Sequence, residues 1–320
     1  TVEHNQLAKD QNTGGLSVFE KDFPNALKKT HFSDKEKQTM SARASESVKA
    51  IKDYVAWLKK LENKTPHSFR LGKDLYAKKF EFDIQSGFTV DQIYDRAVAH
   101  KKELHEKMTQ IADQLWPKYF GTLPKPADKL KLIKQVLDTL SVHHVKPDSF
   151  QTAIERQIPL LIEFVKQKNL LYMDPSKPLV VRREPDYMAG VAGASISAPG
   201  PYDKNGNTYY DVGSLSGWSK EKDESYERKY NHYMLQILNI HEAVPGHYAQ
   251  LVYSNQSPSI IKSIFDNGAM VEGWAVYTEQ MMLDPGYGSG DPGLRLSQLK
   301  FYLRAVVNTL LDHRMHCENL

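Results

Sequence analysis

Apolar positions recur every three to four residues over most of the first two-thirds of the chain, which predicts helices separated by proline-bearing loops. In residues 33–64, Val48, Ile51, Val55 and Leu58 form one stripe behind Ser33 and Glu36, spaced as a capping box. Residues 89–116 repeat the device: Thr89 and Gln92 open a segment whose stripe is Ile93, Ala97, Leu104, Met108, Ile111 and Leu115. Two shorter helices are expected within 126–143 and 148–169.

The period changes at residues 175–214, where prolines, glycines and the β-formers Val180, Val181, Tyr209, Tyr210 and Val212 predict short strands, with "DKNGN" as a turn. Helical spacing returns at about residue 223 and runs to the end, broken by loops at 254–258 and 284–293. The expected fold is mainly α with a small β-sheet (α+β). Residues 1–174 form a helical region and residues 175–320 carry the sheet and the helices richest in candidate chemistry, as one continuous catalytic unit.

Composition narrows the possible functions. A net charge of +3 and a 25% charged fraction across 320 residues give no nucleic-acid footprint. No apolar run approaches the roughly 18 residues of a transmembrane span. The single cysteine, Cys317, excludes an internal disulfide framework and any site built from several thiolates, so a bound metal must be held by His, Asp and Glu. Beginning at Thr1 and stopping at Leu320 within a helical pattern, the chain is expected to be a processed or trimmed piece of a longer protein.

One segment concentrates that chemistry. "HEAVPGH", residues 241–247, has the His-Glu-His order of a zinc hydrolase, but its histidines are six apart. On a regular helix they would point roughly 120° from one another. Pro245 cannot donate to the carbonyl of His241 and its ring clashes there, so the helix should break at Pro245-Gly246 and return His247 to the same ion. Met234, Ile237 or Leu238, and His241 share a stripe, so His241 should point inward. A buried structural histidine beside a solvent-facing glutamate would satisfy the same pattern.

Glu272 follows in "NGAMVEGWAVYTEQMM" among apolar neighbours, where burying a carboxylate is costly without a cation or a strong donor. Two imidazoles and one carboxylate, with a fourth position left for water, are the donor set that thermolysin uses for catalytic zinc. His241, His247 and Glu272 are therefore the candidate Zn2+ ligands and Glu242 the general base; an ordinary salt bridge is the alternative for Glu272. Glu279, two turns on, either supports the site or lies at the surface. In the last helix Arg304, Asn308, Asp312 and His316 form a polar stripe. Arg304 or His316 could stabilise an oxyanion, with Tyr277 and His313 weaker candidates; a surface helix would also concentrate such residues.

"HEAVPGHYAQ", "VEGWAVYTEQM" and "LRAVVNTLLDHRMH", in that order, resemble the signature segments of the bacterial family known as domain of unknown function 885. "APGPYDKNGNTYYDV" and "FRLGKDLYAKKF" extend the likeness over residues 68–316. The resemblance implies a gluzincin-like metallopeptidase architecture, His241, His247 and Glu272 as zinc ligands, Glu242 as base, and a sheet edge that pairs with an extended peptide. It also implies a periplasmic or otherwise extracytoplasmic location, lipid-anchored in the full-length protein. The expected function is a zinc-dependent hydrolase acting on a peptide or small amide. A helical binding protein with a structural or vestigial metal site, and an amidohydrolase acting on non-peptide amides, are the alternatives.

Overall fold

The computed structural model describes residues 2–61, 67–146, 149–185, 193–203, 205–213 and 218–318. The chain divides into two compact units, one formed by residues 1–69 with 183–193, the other by residues 70–182 with 194–320.

In the first unit α1 (Val2–Ser17) passes through a π-helical turn, Val18–Asp22, into α2 (Phe23–Lys28), and α3 (Asp34–Lys60) follows. The capping box forms as the spacing predicts: the Ser33 amide donates to Glu36 Oε2 at 2.8 Å, and the Glu36 amide donates to Ser33 Oγ at 3.4 Å. Val55 and Leu58 on the α3 stripe are buried. Asn5 Nδ2 donates to the Leu58 carbonyl at 3.2 Å, tying α1 to the end of α3.

The second unit contains α4 (Lys73–Ile84), α5 (Val90–Phe120), α6 (Lys129–Ser141), α7 (Phe150–Gln167), β1 (Leu179–Arg183), β2 (Ala194–Ser197), β3 (Thr208–Val212), α8 (Lys220–Lys229), α9 (His232–Glu242), α10 (His247–Ser254), α11 (Ile260–Ile264), α12 (Gly268–Leu283) and α13 (Pro292–Cys317). The second expected capping box, Thr89 with Gln92, starts α5. Ala97, Leu104, Met108 and Leu115 on the α5 stripe are buried with Leu132, Val136 and Leu140 of α6 and Leu296, Val306 and Leu310 of α13. This is one apolar core. Among the described residues no helix is long and apolar enough to cross a membrane.

The three strands are ordered β1-β3-β2, with β2 and β3 antiparallel and Ile196 opposite Tyr210. In the expected turn at 203–207, the Asp203 carboxylate accepts from the amides of Asn205 and Gly206; Lys204 lies outside the described residues, as do residues 186–192. Asp211 is fully buried in the middle strand, where it is held by Arg182 Nε and Ser197 Oγ, each at 2.5 Å. A carboxylate there needs both partners, because an unpaired buried charge would be strongly destabilising.

A second core surrounds α9. Leu235, Ile237, Leu238 and Ile240 are all buried, together with Ile154, Ile158, Leu161 and Val165 of α7 and Tyr210 and Val212 of β3. This helix is enclosed on nearly every side. Its interior polar residue Asn239 is satisfied on both faces: it accepts from Tyr210 OH at 2.9 Å and donates to Gln157 Oε1 at 2.7 Å. The sheet and α7 therefore hold α9 by hydrogen bonds as well as by apolar contact. Tyr210→Phe removes one donor from a buried acceptor and should cost about 1–3 kcal/mol, read as a lower urea midpoint with an unchanged m-value.

Candidate metal centre

Helix α9 stops at Glu242 and α10 starts at His247, so the interruption falls where Pro245 and Gly246 predict it. The amides of Ala243 and Val244 both donate to the Asn239 carbonyl, at 3.0 and 3.1 Å, and the Gly246 amide reaches back to Ile240 O at 3.0 Å. The Val244–Pro245 peptide is cis. The chain doubles back so tightly that a Cβ on Gly246 would lie 1.8 Å from the carbonyl oxygen of His241. Only glycine fits. Trp274 of α12 clamps the turn, its indole N–H donating to Pro245 O at 2.9 Å and to Gly246 O at 3.3 Å.

The turn brings the two imidazoles together, with ring centroids 4.9 Å apart and planes at 86°. Glu272, from the first turns of α12, faces both: its Oε2 is 3.6 Å from His241 Nε2 and its Oε1 is 3.9 Å from His247 Nε2. One donor atom from each of the three residues lies within 4.8 Å of the others. Glu279, two turns further along α12 and fully buried, is 2.9 Å from His241 Nδ1. With the imidazole neutral, a proton shared there would leave the lone pair of His241 Nε2 turned toward Glu272 and His247, as outer carboxylates commonly arrange for metal-binding histidines.

The electrostatics follow from three carboxylates around two imidazoles. Burial disfavours the His241 imidazolium, but Glu272 and Glu279 facing its two nitrogens, with the charge of Glu242, outweigh that and raise its pKa to about 9. Burial lowers the pKa of His247, and the charge of His241 adds to the effect. Burial also raises Glu242 to about 7; the charge of His241 works against this rise and that of Glu272 with it. Glu279 is raised by burial, whereas Glu272 is lowered, chiefly by the His241 imidazole facing it.

The donor set fits a zinc-class ion. Zinc bonded at about 2.0–2.1 Å in a tetrahedron separates its ligands by roughly 3.3 Å, so Glu272 needs to close on each imidazole by well under 1 Å. His247 Nδ1 is buried without a hydrogen-bond partner, as is Oε1 of Gln250 one turn later. A proton on Nδ1 would leave Nε2 as the donor toward an ion.

Two sequence expectations require correction. The side chain of Glu272 is 68% exposed, so its apolar neighbours in sequence do not enclose it; the buried carboxylate of α12 is Glu279. Helical spacing turns Ala275, Thr278, Glu279 and Met282 inward and leaves Glu272 at the solvent edge. Nor does the polar stripe of α13 act as a unit. Arg304 flanks the cluster, its guanidinium 4.5 Å from the Phe301 ring centroid and that ring 5.4 Å from His241. His316 lies twelve residues, roughly 18 Å of helix, further on. It stacks on Tyr76 at 5.2 Å and accepts from the Leu71 amide at 3.2 Å. His313 packs against Tyr94, and Tyr277 is exposed on α12 with its ring 6.0 Å from that of Trp274.

The bacterial family of unknown function DUF885 matches residues 2–320. The chain belongs to DUF885. A protein described as a "putative lipoprotein of unknown function" from Shewanella oneidensis is 52% identical to this DUF885 chain and superposes with a TM-score of 0.76; the alignment covers 100% of this chain and 58% of the other. A "putative lipoprotein" from Colwellia psychrerythraea, at 18% identity, shares the fold with a TM-score of 0.76 over 99% of this chain and 54% of its own. The DUF885 chain thus spans little more than half the length of these solved structures. No curated protein matches it.

Sequence reasoning missed Trp274 as the clamp on this DUF885 turn. Its only signal was a tryptophan two residues after a candidate ligand. Gly246→Ala tests the turn itself. The clash should cost upward of about 4 kcal/mol, among the largest single-residue effects, read as a collapsed thermal midpoint or insoluble protein.

Proposed function

We propose that the chain carries the metal centre of a gluzincin-like zinc hydrolase that cleaves peptide bonds. The observation that supports this reading is the convergence of His241 Nε2, His247 Nε2 and the Glu272 carboxylate, with Glu242 beside the first histidine and Glu279 on its far nitrogen. A zinc ion held there would supply Lewis acidity, making a bound water more acidic and a carbonyl more electrophilic.

The chain's own residues supply the remainder. Glu242 takes a proton from the attacking water as its oxygen bonds to the carbonyl carbon, then gives that proton to the amine nitrogen as the C–N bond breaks. Its environment keeps it poised for both transfers, because burial opposes the charge it carries as a base. Glu279 holds the His241 ring and its tautomer. Arg304, beside Phe301, adds positive charge at the rim. An extended peptide would lie along β1 or β2, the outer strands of the β1-β3-β2 sheet, as strand addition requires. The lipoprotein description of the 52%-identical Shewanella oneidensis protein supports an extracytoplasmic site of action.

Purified protein should hold zinc near stoichiometrically at this centre, and His241→Ala and His247→Ala should each lose that ion. Glu242→Gln should keep the metal and lose turnover on a peptide library by about 10²-fold or more. Variants at both histidines with unchanged metal content would refute the centre; Glu242→Gln with full turnover would refute the base. Glu279→Gln should weaken zinc affinity about 10–100-fold while the fold persists, measured by competition with a chromogenic chelator.

A further inference from the structure

A second imidazole–carboxylate cluster lies elsewhere in the same unit. His144 sits in the segment after α6, and Glu224 and Glu227 are one turn apart on α8. One donor atom from each lies within 4.8 Å of the others. His144 Nε2 is 3.4 Å from Glu224 Oε2, and its Nδ1 is 3.2 Å from Glu227 Oε2 and 3.0 Å from the carbonyl of Val145.

Three observations set this cluster apart from an ordinary surface ion pair. Glu227 is 3% exposed, and its Oε1 is shielded from solvent with no hydrogen-bond partner. Asp223, one turn earlier on the same face, likewise has a buried Oδ1 without a partner. The cations found among these carboxylates are His144, when protonated, and Arg228, whose Nε is committed to Glu224 Oε1 at 2.6 Å. A carboxylate held out of water beside like charges is costly unless a cation compensates it. His144 Nδ1 faces both the Val145 carbonyl and Glu227 Oε2, and its Nε2 faces Glu224 Oε2, so the ring stands between the two carboxylates.

We propose that His144, Glu224 and Glu227 form a second, structural site for a zinc-class divalent cation. One imidazole with carboxylate oxygens suits zinc or manganese better than calcium, which gathers six to eight oxygens. The ion would join the loop after α6 to α8. That loop is already stitched to the start of α9, because the His232 amide donates to the His143 carbonyl at 2.7 Å. The second ion thus braces the entry to the helix that carries His241, and its occupancy does not depend on the hydrolase reading.

The test is a Zn2+ titration of the chelator-stripped full chain by calorimetry, paired with thermal unfolding. Wild type should bind about two ions, Glu227→Gln and His247→Ala about one each, and the double variant none. Zn2+ should raise the Tm of His247→Ala and leave that of the double variant unmoved. His144→Gln should lose the same ion as Glu227→Gln, with an unaltered circular-dichroism spectrum showing that folding is intact. A His247→Ala chain that binds no zinc, or binds it equally well after Glu227→Gln is added, overturns the second site. A single ion lost in Glu227→Gln but kept in His247→Ala upholds it and overturns the first centre instead.

Discussion

The candidate site depends on one steric constraint, the approach of Gly246 to the carbonyl of His241. A continuous helix would send the two imidazoles to different sides of α9, so everything that converges on them requires the chain to reverse within Ala243–Gly246. That reversal is possible because residue 246 has no side chain and because the freed amides find acceptors at Asn239 and Ile240. Apolar burial fixes the rest. With α9 enclosed by α7, β3 and α12, the turn cannot relax by sliding the helix, and Trp274 closes it from the opposite side.

Much of this arrangement could be read from residue order. Capping boxes and apolar stripes located α3 and α5, β-formers located β1 and β3, and the conflict between Pro245 and a helical carbonyl located the break between α9 and α10. What could not be read depends on which face of a helix meets which neighbour. Glu272 and Glu279 are two turns apart and look equivalent in a linear string. Only packing leaves one carboxylate at the solvent edge facing both imidazoles and buries the other behind His241. Length misled in a similar way on α13, where an i, i+4 pattern groups Arg304 with His316 although the axial rise carries them to different surroundings.

His144 illustrates the same limit. It follows α6 closely in the sequence, yet its partners come from α8, some eighty residues later in the chain. Both histidine clusters share one physical signature, more carboxylate than the local cations balance, partly withdrawn from water. At His241 the buried Glu279 occupies the far ring nitrogen, whereas at His144 the two carboxylates stand at opposite nitrogens of the ring.

The unequal exposure of the ligands gives the first centre a direction. His241 and His247 are largely buried, while Glu272 reaches them from the water boundary with its side chain 68% exposed. On the proposed reading an ion held by the two imidazoles would be closed off from water by that carboxylate alone. Glu272 would then be the latch of the site, a surface side chain and not an opening of the core.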